Sequence, residues 1–359
     1  MKIKISLISA CLLTGSALFA DSTNIVDALK NGKINGEFFI YAEQSDIKNA
    51  DNQGFGSGSF DLGFTTDSLY GFTLDVGSRA NHAFWEIDGG EYTQNSKAVL
   101  HTANIAYSHP HLDVILGRQK LNLEWAEDFH EALVGVVKAF PYTTIVVGYT
   151  QRAAIADGDQ PLSAFEKIGD DGAFVVDAKY EGIEYLVLNP YIYYANDVAL
   201  WTGAKAAYDG DFGEFKIGGT LQYVLSDEDT GNDGSFLQAE ARGTFANVNA
   251  FLGFFKTDKD GGIGSINAIG DIDIFEDGEQ IYEIDAQTFY LGANGSWNRF
   301  KFGGIFGSTE YDGGKMRELD LSIAYDLTEH LNLSAVFVNG NGDRDNDYNK
   351  ISAQAVYSF

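Results

Sequence analysis

One short run, Glu124 to Glu131, holds the groups best suited to acid, base or ion chemistry: Glu124, Glu127, Asp128, His130 and Glu131. Carboxylates beside an imidazole can relay protons, activate water or attract cations. The run contains no Ser, Thr or Cys, so it offers no hydroxyl or thiol nucleophile. A second set is cationic and dispersed: Lys179, Lys205, Lys216, Arg242, Lys301 and Lys350. Two acidic stretches, Asp258–Glu283 and Asp343-Arg344-Asp345-Asn346-Asp347, space oxygen-bearing side chains as calcium loops do. Neither follows the full loop pattern with its closing bidentate Glu, so both are read as solvated surface loops without metal. No residues converge for catalysis and none is assigned to a cofactor. The chain is therefore not read as an enzyme, and the charged groups need another use.

What positions them is legible at the end of the sequence. From Lys350 to Phe359, Ile351, Ala353, Ala355, Tyr357 and Phe359 form an apolar row, against a largely polar row of Lys350, Ser352, Gln354 and Ser358. A period of two is a strand with one greasy and one wet face. The alternation begins at Lys33 and recurs in eighteen segments, from Ile34–Ala42 to Lys350–Phe359. Their connections alternate in length. Short turns such as Ser108–His111, Phe140–Thr143, Asp209–Phe212 and Ala246–Asn247 take turns with mostly long ones such as Ala80–Ser96, Gln119–Glu131, Gln151–Asp171 and Asp258–Glu283. Greek-key sandwiches mix lengths at both ends, whereas an outer-membrane barrel puts short turns on one side and long loops on the other. Rings including Phe64, Tyr107, Tyr142, Tyr185, Phe215, Trp297 and Tyr325 flank the short-turn end, as an interfacial girdle does. The predicted fold is all-β: a transmembrane antiparallel up-and-down β-barrel of about eighteen strands, with sixteen as the alternative.

Met1-Lys2-Ile3-Lys4, an apolar run to Phe19 and a small Ala20 before polar Asp21-Ser22 predict a signal peptide over residues 1–20, leaving 21–359 as the barrel domain. The one cysteine, Cys11, falls in the leader, so disulfides and thiolate metal sites are excluded from the remainder. Net charge is −28; without Lys2 and Lys4, 22 basic residues face 52 acidic ones, giving −30. That balance argues against nucleic-acid partners and against docking on anionic lipid.

Rows such as Phe215/Ile217/Leu221/Tyr223 would face lipid, and rows such as Glu214/Lys216/Thr220/Gln222 and Gln238/Glu240/Arg242/Thr244 would face inward. A polar lumen at this strand number is wide enough for water. The six cations all fall on inward rows and are expected to form a pore-lining basic wall opposite acidic loops. The constriction is expected at Gln119–Glu131, because Leu121, Leu123, Trp125 and Phe129 can pack on the inner wall and present Glu124, Glu127, Asp128, His130 and Glu131 to the lumen. The resulting reading is a channel of the Gram-negative outer membrane for small hydrophilic solutes and ions, cation-preferring. Its partners are those solutes and outer-membrane lipid, with a homotrimer among the assemblies the apolar rows allow. The alternative is a structural or adhesive surface barrel without significant channel activity.

The opening Asp27-Ala28-Leu29-Lys30-Asn31-Gly32-Lys33-Ile34-Asn35-Gly36-Glu37-Phe38, the internal Leu116-Gly117-Arg118-Gln119 and the following Val147-Gly148-Tyr149 resemble the OprD-type outer-membrane porins. The resemblance covers the mature chain in layout. It implies an eighteen-stranded barrel, uptake of small solutes and a third loop folded into the pore. Two departures stand out: the loops are shorter than usual for that family, and the net acidity is at odds with an anionic substrate.

Overall fold

The computed structural model describes residues 22–270, 274–343 and 347–359. The expected signal peptide, residues 1–20, lies outside them, as do Arg344, Asp345 and Asn346 of the second acidic stretch. The described chain opens with a helix, α1 (Ile25–Lys30), capped by Asn24, whose side chain accepts from the Asp27 amide. Strands follow: β1 (Lys33–Ile47), β2 (Gln53–Thr65), β3 (Phe72–Glu86), β4 (Ala98–His109), β5 (Leu112–Lys120), β6 (Phe129–Phe140), β7 (Thr143–Ala154), β8 (Glu166–Lys167), β9 (Ala173–Ile183) and β10 (Leu186–Ala195). The second half continues with β11 (Ala199–Phe212), β12 (Phe215–Glu228), β13 (Gly234–Phe245), β14 (Val248–Thr257), β15 (Gln287–Trp297), β16 (Phe300–Tyr311), β17 (Gly314–Asp326), β18 (Leu331–Gly342) and β19 (Tyr348–Ser358).

Of these nineteen strands, β8 is a two-residue piece inside a loop, which leaves eighteen in the wall. Each wall strand pairs antiparallel with its neighbours, and β1 pairs with both β2 and β19, from Glu37↔Ser358 to Ile47↔Tyr348. Closure leaves no sheet edge, the condition a strand structure must meet to sit in hydrocarbon. The two faces divide as the alternation predicts. On β12, Ile217, Leu221, Tyr223 and Leu225 are exposed on the outside, while Gln222, Val224 and Ser226 are buried inside.

Several strands rise further toward the long-loop end than their apolar rows suggest. β3 continues to Glu86, well past its apolar row Phe72, Leu74 and Val76. Its extension, Arg79-Ala80-Asn81-His82, lacks a continuous apolar row, so the lipid-facing pattern stops before the strand does.

The buried apolar cluster is unusual for a barrel in lying inside it. Leu121, Leu123, Trp125 and Ala126 from the third loop (121–128) meet Ile263, Ile266, Ile269, Phe275, Ile281 and Tyr282 from the seventh (258–286). Both pack on inward residues of β9–β16, including Val175, Tyr191, Tyr193, Trp201, Phe236, Phe255 and Tyr290. Burying each large apolar side chain stabilises the inward position by roughly 1.5–3 kcal/mol.

Candidate pore and constriction

The third loop turns inward because the β5–β6 hairpin leaves the wall. Pairing of β5 with β4 stops at Ala103↔Arg118, whereas β6 stays with β7 up to Phe129↔Ala154. Gly117 sits at the departure point with φ +122°, and a Cβ there would lie 2.2 Å from the Ala103 carbonyl oxygen, so only glycine permits this approach. The loop closes on itself through Leu121 N–H to the Asp128 carbonyl (2.8 Å) and Leu123 N–H to the Ala126 carbonyl (2.9 Å). Its apex is Trp125, fully buried and edge-on to Tyr191 of β10 (6.4 Å), Phe236 of β13 (6.1 Å) and Tyr282 of the seventh loop (6.4 Å). The seventh loop presses on it directly: a Cβ on Gly270 would stand 2.3 Å from the Trp125 carbonyl oxygen. A fourth loop (155–172) also enters, where the Asn81 amide donates to the carbonyls of Asp157 (2.9 Å) and Gln160 (3.1 Å).

The expected constriction residues separate once folded. Glu124 reaches β11 and β12, 2.8 Å from Nζ of Lys205, and accepts from Nε2 of Gln222 at 3.0 Å. Glu127 contributes its backbone carbonyl, 2.6 Å from Nε2 of His130. Asp128 closes the loop in the left-handed region, φ +64°. His130, the second residue of β6, is completely buried, its Nδ1 2.9 Å from Thr150 Oγ1, so it presents no surface to water. Glu131 projects from the other face of β6, opposite Arg118 in register, and lies 2.7 Å from Arg118 and 3.8 Å from Arg152. Neighbouring strand residues point to opposite sides, so His130 and Glu131 cannot serve one ring of groups.

The six cations do face inward, but most are tied into ion pairs rather than standing as a continuous wall. Lys205 holds Glu124, and Lys350 holds Asp277 of the seventh loop, so these two act as posts for the inward loops. Arg242 binds Asp209 at 2.6 Å and Glu240 at 3.2 Å, and donates to Thr220 Oγ1 at 2.8 Å. Lys301 pairs with Asp326 at 3.1 Å. Among the described residues, Lys179 and Lys216 have no ion-pair partner. Gly203 and Gly218, beside these cations, make room for neighbours: a Cβ would lie 2.6 Å from Tyr191 Oη and 2.4 Å from Asp209 Oδ1 respectively.

Sequence reading missed two inward groups. Arg79 on β3 sits between Glu37 (2.9 Å) and Asp61 (3.2 Å), with His101 Nε2 2.8 Å from the same Asp61. Continuing the alternation of β3 past its apolar row would have found it. Glu318 and Asp320 on β17 accept the backbone N–H groups of Asp277 (2.9 Å) and Glu276 (3.0 Å), strapping the seventh loop to the wall. The acidic character of that loop hid this. Its Ile263, Ile266, Ile269, Phe275, Ile281 and Tyr282 carried the same signal that identified the third loop.

The loops reach β17–β19 too, since the seventh is bonded to β17 and β19, but nearer the short-turn end the inward Ser322, Ser334, Ser352 and Gln354 are only half-buried. Gln354 lies opposite both Ser334 and Tyr41 in register.

No known protein family matches the sequence, and no curated protein does. Solved structures match throughout. Pseudomonas aeruginosa OccK3 (OpdO) superposes with a TM-score of 0.78 at 13% identity, covering 93% of this chain and 97% of that one. The chain has the fold of these OprD-type barrels. Pseudomonas aeruginosa OccK1 (OpdK) gives 0.77 at 13% identity over 92% and 99%. Acinetobacter baumannii OccAB4 gives 0.75 at 10% over 91% and 98%. OpdK has also been crystallised with vanillate. At these identities the shared property is the fold alone.

Proposed function

We propose that this chain is an outer-membrane channel for small hydrophilic solutes, with a preference for cations. The observation that carries it is the make-up of the interior: the third and seventh loops bury apolar residues against part of the wall, while inward Ser322, Ser334, Ser352, Gln354, Thr220 and Lys216 stay polar and only partly buried or exposed. A barrel serving as a surface adhesin would direct its long loops outward, whereas the third, fourth and seventh turn in. Catalysis is not part of this reading, since Glu124 is held in an ion pair and His130 is enclosed. Nor is a homotrimer. Exposed apolar residues run round the circumference, from Phe38, Phe60 and Leu74 through Leu133, Ile192 and Leu221 to Leu291, Leu321 and Ile351, so no sector is set apart as a subunit face.

The cation preference rests on how the inward charges are grouped. Arg79 faces two carboxylates, Glu37 and Asp61, and Arg242 faces two, Asp209 and Glu240, so each group carries a net negative charge. Carboxylate excess in a narrow aqueous path concentrates cations and repels anions. Vanillate, found with OpdK, is a carboxylate, and this lumen is built against such a substrate. The experiment is a planar-bilayer measurement with a salt gradient. Discrete conductance steps with a cation-selective reversal potential support the reading; insertion without conductance, or anion selectivity, removes it.

A further inference from the structure

The outer surface of β16–β18 carries a feature the channel does not use. At the long-loop end of these strands a shallow groove of about 340 Å³ is lined by Phe306, Arg317, Leu319, Asn339 and Asn341. Register places Arg317 directly opposite Asn341, and Leu319 opposite both Phe306 and Asn339. Two residues further down the same face are Leu321 and then Ile323, both exposed in the apolar belt, while Glu318 and Asp320 point the other way, into the lumen. The outward face thus changes from cation and amides to bare hydrocarbon within a few residues.

We propose that this groove binds the phosphate of an anionic lipid in the outer leaflet. The proposal rests on the reading of the barrel as membrane-spanning. Overall charge argues against anionic lipid on the chain as a whole, but Arg317 sets a guanidinium on this part of the outward face. The neighbouring carboxylates are already committed: Glu310 to Lys315, and Asp347 to Lys48 at 2.8 Å. Among the described residues no carboxylate lies within ion-pair distance of Arg317, Glu310 acting on it only at longer range, in contrast to Arg118 and Arg152, which share Glu131. Asn339 Nδ2 donates to Asn349 Oδ1 (2.8 Å) and Asn341 Nδ2 to Asp347 Oδ1 (2.9 Å), which fixes both amides beside the guanidinium. A guanidinium offers a planar fork that matches phosphate oxygens, and is less costly to desolvate than an ammonium. Phe306 and Leu319 directly below offer an apolar seat for the first acyl carbons. Solvated arginine at a membrane boundary gains from anionic headgroups even without a pocket; the groove and the paired amides add a fixed geometry to that attraction.

The test is native mass spectrometry of the folded, detergent-solubilised barrel titrated with diphosphorylated lipid A and, separately, with its dephosphorylated form. Wild type is expected to retain the phosphorylated lipid selectively. Arg317→Gln should weaken retention about tenfold, the effect of losing one charge-assisted hydrogen bond. Arg317→Lys should fall between, since it keeps charge and loses the fork. If Arg317→Gln does not fold, Asn341→Asp, which sets a carboxylate against the guanidinium, should produce the same loss. Equal retention by wild type and the folded variant overturns the proposal. So does displacement of the lipid by millimolar inorganic phosphate, which would make the groove a free-anion site. Bilayer recordings separate the two readings: wild type that retains lipid A yet never conducts ends the channel assignment and leaves the lipid site standing.

Discussion

Glu124 of the third loop lies 2.8 Å from Lys205 of β11, so the loop that starts between β5 and β6 is tied to a strand five wall positions on from β5. The side chains are only 10% and 30% exposed, and Gln222 adds a hydrogen bond to the same carboxylate. Removing one partner strands the other in a partly dry site, at a cost of order 1–3 kcal/mol to the local anchoring. Lys205→Met is therefore expected to leave the barrel folded while loosening the loop. In single-channel recordings this appears as noisier, more variable conductance. The charge-reversed pair Glu124→Lys with Lys205→Glu should restore steady levels; noise equal to wild type in Lys205→Met would show that the ion pair does not hold the loop.

Selectivity offers a separate test. Changing Glu37 and Glu240 to Gln leaves Arg79 and Arg242 with one carboxylate each, Asp61 and Asp209. Cation preference is expected to fall, and to fall further when Glu124, Glu127 and Asp128 are changed together to Gln or Asn. The effect should fade with salt, because the Debye length shrinks from ~10 Å at ~0.1 M to ~3 Å at ~1 M. A reversal potential indifferent to all five substitutions would place the selectivity elsewhere.

Lipid exposure can be checked on β17. Leu321 is exposed in the apolar belt, and Arg in its place should cost roughly 2–4 kcal/mol of folding stability at mid-membrane. Ser334, on an inward row of β18, is the control. Thr220 is a poorer one than sequence suggests, because its hydroxyl already accepts from Arg242 at 2.8 Å. Equal refolding yields into vesicles for Leu321→Arg and Ser334→Arg would contradict the inside–outside assignment.

The wall was legible because lipid on one side and water on the other force a period of two, and strands such as Phe215–Glu228 obey it nearly throughout. Inward folding of the third loop was legible from its apolar residues. What escaped reading lay where two demands compete. Asp258–Glu283 presents many carboxylates, yet its isoleucines and aromatics decide where it goes, because burying them outweighs keeping the loop in water. Glu131 and His130 looked like one cluster by spacing, but a strand starts at Phe129 and sends them to opposite faces. Ion pairing was invisible too: Lys205 and Lys350 read as free wall charges until the loops that neutralise them were in place.

Trp125 gives the sharpest test of the plug. It is fully buried against Tyr191, Phe236 and Tyr282, at the junction of the third loop, the seventh loop and the wall. Truncating a buried aromatic to alanine typically costs 3–5 kcal/mol, by the loss of transfer energy and by the cavity left behind. In a soluble domain that would threaten the fold. Here the eighteen-strand wall does not pass through Trp125, so the penalty falls on the loop's inward position instead. Trp125→Ala is expected to fold with unchanged heat-modifiable migration, to conduct more than wild type, and to expose Arg118–Glu131 to protease digestion from the long-loop side. A variant that unfolds outright would show that the plug supports the wall, and one with wild-type conductance would show that the third loop does not set the narrowest point.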